Sequence, residues 1–76
     1  MSRLLPALKS KDVLKLLLRE GFVVHHVSGS HYLKHPQRTN LRVTLPWHGR
    51  DLKRGTLGSI IQQAGYTAAE FLDLLK

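Results

Sequence analysis

The sequence predicts an α+β fold in which a helix, a three-stranded antiparallel sheet, a second helix and a short final helix follow in that order. Apolar residues recur at helical spacing near both ends of the chain, and the middle has β-branched or alternating segments. Short polar breaks between these segments favour an antiparallel meander with one face available to the helices. With 76 residues, we expect one small domain spanning residues 1–76.

The helices are indicated by apolar faces and by residues that begin or end helices. Ser10 is a suitable N-cap for the first helix, and Gly21 is suited to end it. Gly65 ends the second helix in the same way, and Thr67 and Glu70 form a capping box that opens the third. The apolar faces comprise Val13, Leu14, Leu17 and Leu18 in the first helix, Leu57, Ile60, Ile61 and Ala64 in the second, and Phe71, Leu72 and Leu75 in the third.

Three segments have strand character. Residues 22–27 are rich in β-branched side chains, residues 31–35 follow a turn, and residues 41–45 alternate between apolar and polar side chains. A two-residue loop at Ser28-Gly29 makes His26 pair with His31 in the first hairpin. Both histidines then lie at the hairpin end of the helix-covered face, whereas Val23, His25, Tyr32, Lys34, Arg42 and Thr44 lie on the open face.

Charge and composition restrict the possible partners. The formal net charge of +7 and the isoelectric point of about 10.4 favour a polyanion: nucleic acid, an anionic membrane or an acidic protein. The sequence has no cysteine, which excludes disulfide scaffolds and zinc–thiolate sites. No apolar run approaches the roughly 18 residues of a membrane span. We therefore expect a cytoplasmic protein without a membrane partner.

The segment from Gly21 to Arg50 contains all five histidines and no Asp or Glu. Nucleases that use hard metal ions hold them with carboxylates, whereas metal-free RNA cleavage needs an imidazole that moves protons near neutral pH. His25 and His26 are adjacent in a predicted strand, so they should face opposite ways and cannot share an ion. We expect neither a metal site nor a cofactor.

Basic residues coincide with the RNA contacts of a similar fold. The predicted topology is that of the double-stranded-RNA-binding domain, which uses its first helix, the turn after its first strand and the start of its second helix. The N-terminus of a helix also favours phosphate. The corresponding residues here are Lys9, Lys11 and Lys15, then Ser28, Gly29 and Ser30, then Arg50, Lys53 and Arg54. We take Gly29, Ser30, Lys53 and Arg54 as candidate phosphate-binding residues.

Several separated motifs resemble the HicA-type toxins, small mRNA-cleaving partners in toxin–antitoxin pairs. They are Leu-Lys-Ser-Lys-Asp-Val at the first helix, Gly-Ser-His at residues 29–31, Pro-Trp-His-Gly at residues 46–49, and Leu-Lys-Arg-Gly-Thr-Leu at residues 52–57. The resemblance implies that His31 is catalytic and that the protein cleaves mRNA without the ribosome. It also implies a HicB-type antitoxin that covers the active site.

The chemistry follows from the residues as well. An imidazole can take the proton of an RNA 2′-hydroxyl or donate a proton to the leaving 5′-oxygen. Because DNA lacks the 2′-hydroxyl, this mechanism excludes DNA as a substrate. We assign His31 as the acid or base, and either His48 or His26 as a second proton-transfer group. Trp47 could stack on a base or pack as a lid on the core. A non-catalytic RNA-binding module and a basic protein-interaction domain remain the alternative functions.

Overall fold

The computed structural model describes residues 5–76; residues 1–4, which the expected domain includes, lie outside the described part. The observed topology is the α+β, double-stranded-RNA-binding-domain-like arrangement that the sequence predicts, with a three-stranded antiparallel sheet in the order β1-β2-β3. The elements are α1 (Ser10–Arg19), β1 (Val23–Ser28), β2 (Ser30–Lys34), β3 (Arg42–Pro46), α2 (Arg54–Gln63) and α3 (Ala68–Leu74).

The start of α1 differs from the prediction by one residue. Lys9, not Ser10, is the N-cap, and Ser10 is the first helical residue. The backbone N–H of Lys9 donates to Oδ2 of Asp12 at 2.9 Å. That carboxylate also lies in the first turn of the helix, where negative charge is favourable. The Ser10 side chain is completely buried and is therefore used in packing and tertiary hydrogen bonding.

Glycine ends both long helices as predicted. Gly21 has φ of +96° and Gly65 has φ of +84°, a backbone region that favours glycine. After α1 the N–H of Phe22 donates to the carbonyl of Leu17 at 3.0 Å, and after α2 the N–H of Tyr66 donates to the carbonyl of Ile61 at 3.1 Å. Both ends thus have the Schellman pattern of helix termination. The predicted capping box of Thr67 and Glu70 opens α3.

A β-bulge changes the register of the first hairpin. On the side of the bulge that is farther from the hairpin turn, Val24 pairs with Leu33, as the predicted register requires. An extra residue between Val24 and His26 then shifts the pairing, so that His26 lies opposite Tyr32 and Val27 lies opposite His31. The prediction that His26 pairs with His31 is wrong. It assumed a two-residue loop at Ser28-Gly29, whereas Ser28 pairs with Ser30 across Gly29 alone, and the residue inserted at His25 compensates for this difference farther along β1.

The helices cover one face of the sheet. Leu33 of β2 and Val43 and Leu45 of β3 point into this layer and are almost fully buried. Gln63 of α2 accepts a hydrogen bond from the backbone N–H of Thr44 at 2.8 Å, which satisfies a donor of β3. Among residues 5–76 no helix has the length and apolar character that crossing a membrane requires. The buried apolar core is Val13, Leu16, Leu17, Phe22, Leu33, Val43, Leu45, Leu52, Leu57, Ile60, Ile61, Ala64 and Phe71.

Candidate nucleic-acid interface

One end of the molecule collects most of the candidate residues, although not His26. β2 begins at this end, β3 ends there, and the segments that lead into α1 and α2 are paired beside it. Lys9 and Asp51 form an isolated antiparallel bridge, and their side chains form an ion pair at 3.5 Å. The N–H of Leu52 donates to the carbonyl of Leu8 at 2.8 Å. These contacts tie the approach to α2 to the start of α1, and both segments are rich in Lys and Arg. We call this end of the molecule the basic end.

His31 lies on the helix-covered face at the start of β2, as predicted. It pairs with Leu45 of β3, and its ring lies against that of Trp47, with centroids 4.0 Å apart and planes 31° apart. Nδ1 of His31 is buried and has no hydrogen-bond partner among the described residues. Buried polar atoms are nearly always hydrogen-bonded, so an unpartnered imidazole nitrogen requires an explanation.

Ser10 holds the segment that carries Trp47. Its hydroxyl donates to the backbone carbonyl of Pro46 at 2.6 Å and accepts from the backbone N–H of His48 at 3.4 Å. The two bonds bracket Trp47 and connect the first turn of α1 to the residues that follow β3. The sequence indicated Ser10 only as a helix cap, because a partner 36 residues away leaves no local signal.

His48 lies between two basic pockets. One has a volume of about 340 Å³ and includes Lys9, Lys11 and Trp47; the other has a volume of about 330 Å³ and includes Arg50 and Lys53. Nδ1 of His48 is also buried and without a hydrogen-bond partner in the described part of the chain. The structure therefore brings His48 close to Lys53 on one side and to Trp47, the neighbour of His31, on the other.

The candidate phosphate-binding residues lie around the same end. Lys53 is the N-cap of α2 and Arg54 is its first residue; both are exposed, and no side chain caps this helix. Ser30 pairs with Pro46, which lines the pocket that contains Lys53. Gly29 forms the exposed turn and has φ of +26°. Within residues 5–76 the ion pairs are Lys9–Asp51 and Lys76–Asp73, so neither Lys53 nor Arg54 is neutralised by one.

His26 lies on the open face of the sheet, away from His31. Its ring is 5.6 Å from that of Tyr32, and both line a pocket of about 370 Å³. His25 lines the same pocket, because the bulge cancels the alternation that should direct adjacent side chains to opposite faces. The regular alternation on which the expectation of opposite faces rests is thus interrupted at His25. In residues 5–76 no group of three or more His, Asp or Glu side chains is arranged to hold a metal ion.

His35 connects β2 to the end of α1. Nδ1 accepts hydrogen bonds from the backbone N–H groups of Gln37 at 3.2 Å and Arg38 at 3.1 Å. Nε2 lies 3.2 Å from the carbonyl oxygen of Glu20. Because Nδ1 accepts, the proton that bonds Glu20 is on Nε2. All the hydrogen-bonding capacity of this ring is used within the protein.

The fold and the basic, histidine-containing end define a small α+β protein suited to an anionic partner. Residues 10–66 match the family model described as the HicA toxin of bacterial toxin–antitoxin systems. The match covers most of the chain and includes every candidate site residue, so the protein belongs to the HicA toxin family and is the toxin component of a toxin–antitoxin system. A comparison with curated proteins gave no match.

Proposed function

We propose that this toxin is a metal-independent endoribonuclease that cleaves mRNA without the ribosome, with His31 as the catalytic residue. The observation that carries the proposal is the His31 ring, whose Nδ1 is buried and unpartnered among the described residues while its face lies against Trp47 at the basic end. A histidine retained only for structure would have its nitrogens satisfied, as those of His35 are. Because no protein group in residues 5–76 engages Nδ1, no structural hydrogen bond to that nitrogen fixes the ring, and Nε2 is the nitrogen left for proton transfer.

The proposed reaction uses the nucleophile that RNA carries. A base removes the proton of the 2′-hydroxyl, the 2′-oxygen attacks the adjacent phosphorus, and the 5′-oxygen leaves with a proton from an acid. The products are a 2′,3′-cyclic phosphate and a 5′-hydroxyl. General acid–base catalysis contributes roughly 10²–10⁴-fold to such a reaction. His31 supplies one proton transfer through Nε2, since its other ring nitrogen is enclosed by protein.

His48 is the better candidate for the second proton transfer. It follows Trp47, which contacts His31, and its own Nδ1 is buried without a partner in the described residues. His26 is separated from His31 by the sheet itself. A His48→Ala variant should therefore lose catalysis at saturating RNA, whereas a His26→Ala variant should keep its kcat.

Cations and backbone donors support the phosphate in this proposal. Lys53 and Arg54 supply positive charge and unbonded N–H groups at the start of α2, and Gly29 and Ser30 supply backbone donors at the hairpin turn. Donors held in place before the reaction stabilise charge that develops on the phosphorane. Replacing Lys53 or Arg54 by Ala should weaken RNA binding most at low salt, where screening is weakest.

The direct test is incubation of purified toxin with single-stranded RNA in excess EDTA. We expect cleavage by the wild type, and a loss of roughly 10²-fold or more in both His31→Ala and His31→Gln. Thr39→Ala, in the exposed loop after β2, serves as a matched control and should cleave normally. Intact RNA with the wild type, but with RNA binding retained, would instead favour a non-catalytic RNA-binding module. Lack of RNA affinity at low salt would favour a protein-interaction domain.

The antitoxin partner is expected to neutralise the basic end. We propose a HicB-type antitoxin that presents carboxylates to Lys53 and Arg54 and covers His31, because opposite charge is the simplest complement of this surface. Association should be fast at low salt and should slow as salt rises, as measured by stopped-flow mixing. An association rate that does not depend on salt would contradict an electrostatic interface.

A further inference from the structure

The open face of the sheet carries a pocket that the proposed reaction does not use. This pocket, which we call the open-face pocket, has a volume of about 370 Å³ and lies on the side of the sheet away from the helices. Tyr32 and Thr44 pair across β2 and β3 on this face, and Lys34 pairs with Arg42 beside them. The aromatic, charged and hydroxyl-bearing residues that line the open-face pocket include His25, His26, Tyr32, Lys34, Arg42 and Thr44.

The open-face pocket offers rings for stacking. His26 and Tyr32 are cross-strand partners, with ring centroids 5.6 Å apart and planes inclined by 34°. Tyr32 is 36% exposed although it belongs to the central strand of the sheet. The bulge in β1 adds His25 to the same pocket. Aromatic side chains exposed on a sheet are the usual platform on which proteins stack the bases of single-stranded RNA.

Positive charge flanks these rings. Lys34 and Arg42 lie opposite one another at the far end of the pocket from the hairpin turn. The chain from residue 21 to residue 50, which contains all three strands, has no Asp or Glu, so no carboxylate of the sheet opposes an anionic ligand. The open-face pocket thus combines rings that can stack on the bases of single-stranded RNA with cations that can bind its phosphates.

The open-face pocket and the basic end adjoin at the hairpin turn. Ser28 lines the open-face pocket and pairs with Ser30, and Ser30 pairs with Pro46 at the basic end. His31 and Tyr32 are consecutive residues of β2 and point to opposite faces. A single strand that passes around the Ser28–Ser30 turn therefore reaches both sites.

We propose that the open-face pocket binds nucleotides that flank the cleaved bond of a single-stranded RNA, with bases stacked on Tyr32 and His26 and phosphates held by Lys34 and Arg42. The inference rests on the proposed ribonuclease function and names its substrate as unpaired RNA. It makes Tyr32 a binding residue that does not take part in the chemical step. Substrates that extend past the cleavage site should then be bound more tightly than minimal ones.

The test measures the affinity of fluorescent single-stranded RNA for the full chain carrying His31→Ala, which prevents cleavage. We expect Tyr32→Ala in this background to weaken binding of an extended RNA about tenfold, and Tyr32→Phe, which keeps the ring, to change it less than twofold. An RNA of equal length with abasic flanking nucleotides keeps the phosphates and lacks the bases. The affinity of this abasic RNA should be the same for the protein with Tyr32 and for the Tyr32→Ala variant.

Charge is tested separately with Lys34, the last residue of the central strand. Lys34→Glu should weaken binding of both the normal and the abasic RNA, whereas Lys76→Glu, an equal charge change at the C-terminus, should have a much smaller effect. In the cleaving protein, Tyr32→Ala should raise KM about tenfold and leave kcat unchanged. That division of effects separates a binding residue from a structural one, whose loss would lower kcat as well.

Two results would overturn the inference. One is equal RNA affinity for the Tyr32→Ala and Tyr32→Phe variants. The other is that Tyr32→Ala weakens binding of the abasic RNA as much as binding of the normal RNA, which would mean that no base is stacked on Tyr32. The proposed ribonuclease function can fail independently. If the wild type leaves RNA intact but Tyr32-dependent binding of unpaired bases persists, the stacking site stands and the catalytic assignment falls. If cleavage persists without any effect of Tyr32, only the inference falls.

Discussion

Trp47 and His31 are in direct ring contact, and this pair is the residue-scale basis of the proposed site. The centroid distance of 4.0 Å leaves little freedom for the imidazole to rotate away from the position in which it is held. Trp47 is itself 41% exposed, so it contributes less to the core than its size suggests. Its side chain positions His31 and shields one face of the ring from water.

Replacing Trp47 should therefore impair catalysis more than folding. Trp47→Ala should lower kcat roughly tenfold or more, since small displacements of a catalytic group are costly, while Trp47→Phe should retain most of the activity. Steady-state cleavage and thermal unfolding of both variants provide the measurement. A Trp47→Ala variant with normal kcat would contradict the positioning role.

Ser10 is a second residue whose replacement should have a large effect, although its side chain is small. Removing its hydroxyl leaves the partly buried Pro46 carbonyl without its donor, at a cost of about 1 kcal/mol in the free energy of unfolding. Ser10→Ala should also reduce cleavage, because it releases the segment that carries Trp47 and His48. Ser59→Ala, at an exposed position of α2, is the matched control and should change stability by less than about 0.5 kcal/mol. Chemical denaturation measures both.

At the scale of secondary-structure elements, a glycine is needed at the end of α1 but not in the middle of α2. Gly21 has φ of +96°, and a Cβ added there would lie 3.0 Å from Nε2 of His35. It would also disturb the contact of His35 with Glu20 that holds β2 against the helix end. A Cβ added at Gly58 in α2 meets no atom within 4 Å. The first glycine is required by the fold and the second is not.

The two Gly→Ala variants should therefore change stability in opposite directions. Gly21→Ala should destabilise the protein by roughly 1–3 kcal/mol, from backbone strain and the close contact. Gly58→Ala should stabilise it by up to about 1 kcal/mol, because Ala is the better helix former. Urea denaturation of both variants tests the pair. A shift in the same direction for both would contradict the assigned backbone conformations.

The elements that depend on local patterns could be predicted from the sequence. Gly21 and Gly65 mark helix ends, and the alternation along β3 marks a strand whose buried residues are Val43 and Leu45. The bulge at His25 could not be predicted, because a run of β-branched and histidine residues contains no signal for an inserted residue. The error was confined to the hairpin end, and it moved His26 to the other face.

The candidate site was predictable to the same limited extent. The Gly-Ser-His turn and the basic cluster before α2 are visible in the sequence, because their residue types and spacing are local. The ring contact of His31 with Trp47 and the anchoring role of Ser10 join residues far apart in the chain. Such contacts depend on how the layers pack, and no periodicity within a single element reveals them.

At the scale of the whole molecule, stability should depend on pH at the alkaline end through Tyr66. Burial, together with Glu20 and Glu70, raises the pKa of the Tyr66 phenol above its usual value of 10.0, although Arg38 acts in the opposite direction. In the unfolded chain this phenol ionises near its usual pKa, so the folded state binds more protons in the interval above it. The stabilising contribution is complete below pH 10 and is lost as pH rises through the folded-state pKa.

Removal of the Tyr66 hydroxyl should therefore reduce this alkaline dependence. Between pH 9 and pH 11, the free energy of unfolding should fall less steeply for Tyr66→Phe than for the wild type. Denaturation by urea at several pH values measures the slope. Identical slopes for the two proteins would contradict a raised Tyr66 pKa.

The net charge of +7 gives the protein a general attraction for polyanions, so affinity alone cannot identify the reaction. The most direct measurement is the end-group chemistry of one RNA oligonucleotide cleaved in EDTA, read by mass spectrometry. We predict a 2′,3′-cyclic phosphate and a 5′-hydroxyl from the wild type, no product from His31→Ala, and no cleavage when the scissile nucleotide carries a 2′-deoxyribose. A 5′-phosphate product, or cutting at the deoxy position, would contradict a reaction in which the 2′-hydroxyl is the nucleophile and His31 transfers a proton.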